Sequence, residues 1–152
     1  MCSSDLTFLD EDGVERFYAM GCYGIGISRI MATAAEQFHD GAGLRWPKAL
    51  APFHVCVILA NQDHEPARAE AERVYTDLRD RGVEVVLDDR EERAGVKFND
   101  ADLVGYPVQV VVGRRGIEAG TAELKLRSSG ERRTVPLGDV VEASIELLTV
   151  AP

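Results

Sequence analysis

Hydrophobic and polar positions change period several times along the chain, and the changes outline its elements. Phe53 to Ala60 (FHVCVILA) is a nearly continuous apolar run, the pattern of a strand buried on both faces. After it, Ala67, Ala71, Val74, Tyr75 and Leu78 recur at helical spacing, with Pro66 suited to the first turn and Gly82 to the stop. Val83 to Leu87 predicts the next strand, Ala94 to Val104 a shorter helix, and Val108 to Val112 a third strand. Glu123 to Arg127 and Arg132 to Val135 predict a hairpin turning at Ser129 and Gly130. Val141, Ile145 and Leu148, at i, i+4 and i+7, predict a closing helix. Strand–helix–strand–helix–strand with an added antiparallel pair predicts an α/β fold with a mixed, mostly parallel sheet flanked by helices.

Ahead of residue 53 the pattern differs. Thr7 to Gly13 reads as a strand end and a turn, with Glu11, Asp12 and Gly13 supplying the turn chemistry. Arg16 to Met20 predicts a strand, and Gly21 to Ser28 (GCYGIGIS) a glycine-punctuated extended segment. From Arg29, the residues Ile30, Met31, Ala34, Ala35 and Phe38 share one helical face, with Ser28 as the expected cap. Gly41, Gly43, Pro47 and Pro52 make residues 39–52 an expected connection between two domains, pinned by Trp46 and Pro47. The first six residues, MCSSDL, do not match the rest of the chain. One back-translation of CSSDL reproduces the end of a common sequencing adapter, so residues 1–6 are expected to be an assembly scar, and Cys2, Ser3 and Ser4 carry no functional weight.

Composition narrows the classes. At 152 residues, 45% apolar and 28% charged, the chain has material for one domain, or a small domain plus part of another. No apolar run approaches the roughly 18–20 residues that span a bilayer, so no membrane role and a cytoplasmic location are expected. Cys2, Cys22 and Cys56 are odd in number and far apart, and His39, His54 and His64 lack ligand spacing, so no disulfide framework and no metal site are expected. Seventeen basic against 26 acidic residues give a net charge of −9. Loose, sequence-blind binding to DNA or RNA, which depends on phosphate neutralisation, is disfavoured. Recognition of a few bases by hydrogen bonds is not excluded, because carboxylates serve there as well as guanidinium groups.

Two segments have the residue types for chemistry. In GCYGIGISR, residues 21–29, the closely spaced glycines let backbone approach a flat ligand, and Arg29 opens the following helix, where its fork of donors can reach a phosphate. The plainer alternative is a glycine-rich turn and a surface arginine; the pattern is not a GxGxxG fingerprint. In DDREERAGVKFNDADLVGYP, residues 88–107, six acidic and three basic residues between Asp88 and Asp102 give −3, unlike a phosphate cradle. The set suits guanine edges, since carboxylates accept from the ring and amino N–H groups while Arg or Lys donates to the carbonyl and ring acceptors. A solvated charge run with internal ion pairs is the alternative.

The blocks GCYGIGISR, AAEQFHD, WPKALAPFHV and DDREERAGVKFNDADLVGYP, in this order and spacing, resemble the C-terminal third of a bacterial-type prolyl-tRNA synthetase, a class II enzyme, from Thr7 to Ala151. The resemblance implies two parts. Residues 1–50 would be a strand–helix remnant of the antiparallel class II catalytic domain, and residues 51–152 the anticodon-binding domain. GIGISR would be the third signature motif, with Arg29 as catalytic residue on the ATP phosphate and Gly24 and Gly26 lining the adenine and ribose side. Gly21 and Cys22 would lie near the amino-acid pocket. Proline anticodons end in two guanines, and the expected readers are Arg90, Glu92, Arg93, Lys97 and Asp100, with Phe98 either stacking or filling the core.

The same resemblance implies ATP and proline as substrates, Mg2+ with ligands outside this chain, tRNA(Pro) as partner, and a homodimer formed through upstream segments. The first two signature motifs and the editing insertion are not in this sequence, so the chain by itself is expected to be inactive. A rival reading is a stand-alone, non-catalytic anticodon-binding-like module; a weaker one is a small-molecule-binding α/β domain. The GIGISR block separates the first two, since a dedicated binding module has no use for an ATP-contacting strand and helix. The face formed by Ile27, Ile30, Met31, Ala34 and Phe38 is expected to lack its normal cover.

Overall fold

A computed structural model describes residues 6–19, 21 and 23–150. The expectations on Cys2, Ser3, Ser4 and Cys22 fall outside these residues. The main unit is a five-stranded sheet built on the long apolar run. Strand β5 (Val55–Leu59) is buried at all five positions and pairs in parallel with β6 (Val85–Asp88) on one side and β7 (Val108–Val112) on the other. Antiparallel β8 (Thr121–Leu126) and β9 (Arg132–Pro136) extend the β7 edge, giving the order β6-β5-β7-β8-β9. Two pairings are parallel and two antiparallel, as the strand pattern with its added hairpin requires.

Alternation along β5 divides the core. Val55, Val57 and Leu59 join Ala67, Ala71, Val74 and Leu78 of helix α2 (Glu65–Asp80), together with Val141, Leu147 and Leu148 of α5 (Val140–Val150). Cys56 and Ile58 point the other way, to Ala101 of α3 (Ala94–Val104) and to Phe98 and Tyr106. Each fully buried Val or Leu stabilises the fold by roughly 1.5–3 kcal/mol, so the sheet unit owes most of its stability to the larger α2/α5 face. Helix α2 connects β5 to β6 over one face, and α3 returns from β6 to β7 over the other. Connections therefore leave the adjacent ends of β5 and β6 toward opposite faces, the arrangement that opens a ligand crevice in open α/β sheets.

Local chemistry accounts for the boundaries. The His64 ring Nδ1 accepts the Ala67 N–H at 3.2 Å as the α2 cap, a role the sequence pattern did not single out, and Pro66 sits in the first turn. Gly105 ends α3 at φ +84°, where a side chain would strike the Leu44 carbonyl. A six-residue helix, α4 (Arg114–Ala119), lies between β7 and β8; it was not expected, because so short an element has no readable period.

The earlier residues form smaller pieces. Strands β1 (Thr7–Leu9) and β2 (Glu15–Phe17) make an antiparallel hairpin. Helix α1 (Ile27–Gln37) begins with Gly26 as its cap, so Ser28 lies within the first turn instead of capping it. Ile27, Ile30, Met31 and Phe38 are exposed, as expected of an uncovered face, but Ala34, expected to be uncovered with them, is buried. Residues 39–52 are more ordered than a plain connection: β3 (His39–Asp40) and β4 (Gly43–Leu44) form a tight hairpin, followed by a single 3-10 turn at Lys48–Leu50.

Candidate nucleic-acid interface

The acidic–basic segment leaves the end of β6 beside the end of β5, at the point where the two connections diverge. Asp88, the last residue of β6, accepts from Arg90 Nε at 2.9 Å and from Arg90 Nη2 at 2.8 Å. The same Nη2 donates to Asp100 Oδ2 on α3 at 2.8 Å. Arg90 thus bridges the strand end and the helix. The two carboxylates, Asp88 first, hold its guanidinium protonated, and the Arg90 bond holds the Asp88 carboxyl below its ordinary range. Glu92 and Arg93 are exposed, and Arg93 occupies the cap position of α3 with no side-chain cap bond. Arg90 and Asp100 therefore share one rim, and the exposed Glu92 and Arg93 follow on the loop that runs from Arg90 into α3.

Lys97 is placed differently. It is fully buried, and its Nζ donates to the carbonyl of Leu59 at 2.8 Å and to that of Asp88 at 3.2 Å, with the Asp88 carboxylate 4.0 Å away. The ammonium ties together the ends of β5 and β6 from inside the crevice, and burial pushes its pKa down. It does not join the exposed rim on which it was expected. Phe98 is half-buried against Cys56, Ile58 and Ala101, and its remaining surface lines a groove with Asn61, Gly113 and Arg115. Cys56 itself is a core thiol pushed up to about 12 by burial, which removes it from nucleophilic chemistry.

Residues outside the expected set complete the rim. Gln62, in the loop after β5, donates to the Arg90 carbonyl, and Arg68 Nη2 donates to the Gln62 carbonyl at 3.1 Å. The polar run Asn61–Gln62–Asp63 directly after an apolar strand was the available signal, because ligand-facing loops follow strand ends in such sheets. An apolar cavity of about 350 Å³ opens beneath the Asp88–Arg90–Asp100 triad, lined by Cys56, Val86, Ala101 and Tyr106. A second depression, of about 480 Å³, is lined by Gly24, Gly26, Arg29, Thr33 and Phe38. There Arg29 stands exposed in the first turn of α1, and Thr33 Oγ1 donates to its carbonyl. Gly21 lies outside this depression's lining, with the Tyr23 ring against it. Among the described residues, no three His, Cys, Asp or Glu side chains gather as a metal ion would need.

Acid sensitivity follows from the carboxylates. Asp88 is lowered by Arg90, and Asp102 is lowered because the Lys125 and Gln109 hydrogen bonds outweigh the upward push of burial. Groups with depressed folded values contribute stability above their unfolded value, near 3.8, and lose it as pH falls through the folded value. The denaturation midpoint is therefore expected to fall from pH 5 toward pH 2. Asp102→Asn is expected to make that fall shallower, as read by urea titrations at each pH.

Comparisons with known proteins agree with this geometry. The family model described as "Anticodon binding domain" matches residues 54–147, the span of the five-stranded sheet and its helices. Over 134 residues, 88% of the chain, it is 54% identical to a protein of Bacillus cytotoxicus named proline–tRNA ligase, of which it covers 24%. A protein of the same name from Pelotomaculum thermopropionicum is 49% identical over 142 residues, 93% of the chain and 25% of that relative. The chain thus spans about a quarter of the length of the curated relatives it matches. Since the matched span takes in all five strands of the sheet and the Arg90–Asp100 rim, the chain belongs to the anticodon binding domain family.

Proposed function

We propose that the chain is the anticodon-reading part of a proline–tRNA ligase, which activates proline with ATP and attaches it to tRNA(Pro) in the cytoplasm. The observation that carries the reading is the rim of Arg90 and Asp100, with Glu92 and Arg93 on the loop that follows, at the diverging ends of β5 and β6. Two exposed guanines present carbonyl and ring-nitrogen acceptors together with N–H donors, and the rim offers both complements side by side. Arg93 and Glu92 are the free-standing readers. Arg90 and Asp100 are held ready by their mutual bond, and Phe98 offers apolar surface at the groove. Lys97 serves the site by fixing the two strand ends behind it.

In this proposal residues 1–50 are the end of the catalytic domain and residues 51–152 the anticodon-binding domain. Arg29 contacts an ATP phosphate, where a fixed cation stabilises the charge that develops as proline's carboxylate attacks the α-phosphate, the α–β phosphoanhydride bond breaks and pyrophosphate leaves. Gly24 and Gly26 leave room for the adenine and ribose, while Gly21 and Cys22 border the amino-acid pocket. Mg2+ accompanies ATP in the whole enzyme. The whole enzyme is a homodimer joined outside this chain. No helix among the described residues is long and apolar enough to cross a membrane.

Arg93→Ala is expected to weaken binding to a GG-anticodon stem-loop by about tenfold, as one lost bidentate base contact would. Binding to a loop carrying other bases is expected to change little in the same fluorescence titration. Equal losses on both loops would remove Arg93 from base reading.

A further inference from the structure

Arg127 follows β8 and is only 6% exposed, an unusual setting for a residue that is normally on the surface. Its Nη1 and Nη2 donate to the two carboxylate oxygens of Asp40 at 2.7 Å each, while Nε donates to the Asp102 carbonyl at 3.2 Å. A bidentate pair of this kind fixes direction as well as distance. The same Asp40 carboxylate accepts the N–H groups of Ala42 and Gly43, at 2.8 and 3.1 Å, and so closes the β3–β4 turn. Arg127 holds that carboxyl well below the usual range, so the pair stays charged through neutral pH. Asp102, in the last turns of α3, is itself tied to Lys125 and Gln109.

Two glycines bring the backbones into direct contact beside this network. A Cβ on Gly43 would strike the backbone of Asp102 and Leu103, and one on Gly105 would strike Leu44. The hairpin that directly follows α1 is therefore keyed into the C-terminal end of the helix whose N-terminal end carries Arg93. We propose that Arg127 is a positioning residue: by clamping Asp40 against the end of α3, it makes residues 39–45 part of the sheet unit and braces the C-terminal end of α3 with the β3–β4 hairpin. The joint between the two parts then lies ahead of His39 and not near residue 50. The consequence for RNA rests on the anticodon reading; the clamp itself does not.

Hydrogen exchange on the full chain tests the clamp, using Arg127→Met and, as a milder second variant, Asp40→Asn. In both, amides of residues 39–45 are expected to exchange at least about tenfold faster while β5 and β7 keep their protection. Arg127→Lys is expected not to restore the protection, because a single ammonium cannot hold both oxygens in a fixed plane. Affinity of Arg127→Met for the GG stem-loop is expected to drop about threefold although Arg127 belongs to the opposite end of α3 from the readers. Unchanged exchange at 39–45 would overturn the clamp, as would a loss of protection spread through β5 and β7. Faster exchange with unaltered stem-loop affinity would overturn the positioning role. Faster exchange in a chain whose wild type shows no GG preference would overturn the anticodon reading and leave the clamp standing.

Discussion

Lys97→Ala is expected to destabilise the sheet unit by about 3 kcal/mol, combining the cavity left by the stem with the loss of a donor to two inward carbonyls. Nζ bonds the ends of both β5 and β6, so its removal loosens the frame on which the 88–93 loop stands. For a domain of this size the urea midpoint moves by about 2 M. Lys97→Met, which keeps the stem and loses only the donor, is expected to fall between wild type and alanine. Were Lys97 an exposed reader, alanine would cost within about 0.5 kcal/mol and the midpoint would hardly move.

Arg90→Ala is expected to do the reverse: little change in the urea midpoint, but a loss of about tenfold or more in affinity for a GG stem-loop. Arg90 and Asp100 are both about half-exposed, where ion pairs contribute little to folding, and Asp88, only 11% exposed, keeps the Lys97 ammonium 4.0 Å away when Arg90 is removed. Its removal takes away one donor set and also releases Asp100 from its fixed orientation. Fluorescence titrations at matched salt, with urea melts on the same preparations, separate this outcome from that of Lys97→Ala. A variant losing stability and affinity together would make Arg90 part of the frame and not of the reader.

The sheet unit was readable from the chain because its elements follow single periods. Helix α3 (Ala94–Val104) and strand β7 (Val108–Val112) have the bounds that the chain's pattern predicts. The burial of Lys97 was harder to read, since lysine in a charged stretch normally marks the solvent side. Its spacing of four from Ala101, which faces the core, held the information, but only the tertiary structure shows that the stem runs between two strand ends. The β3–β4 hairpin escaped for a different reason. Its anchors, Arg127 and Asp102, lie some sixty or more positions away, beyond any local pattern. Gly43 read as part of a linker, and the close backbone contacts of Gly43 and Gly105 have no sequence signature.

Reading of two guanines by this rim is decided by titrating the wild-type chain with two anticodon stem-loops differing only at those two positions. The GG loop is expected to bind at least about tenfold more tightly than a loop with adenines there. Because the chain carries −9, the preference is expected to persist as salt is raised, while the weak background binding falls away. Equal affinity for the two loops at every salt concentration would contradict the reading of guanines by this rim.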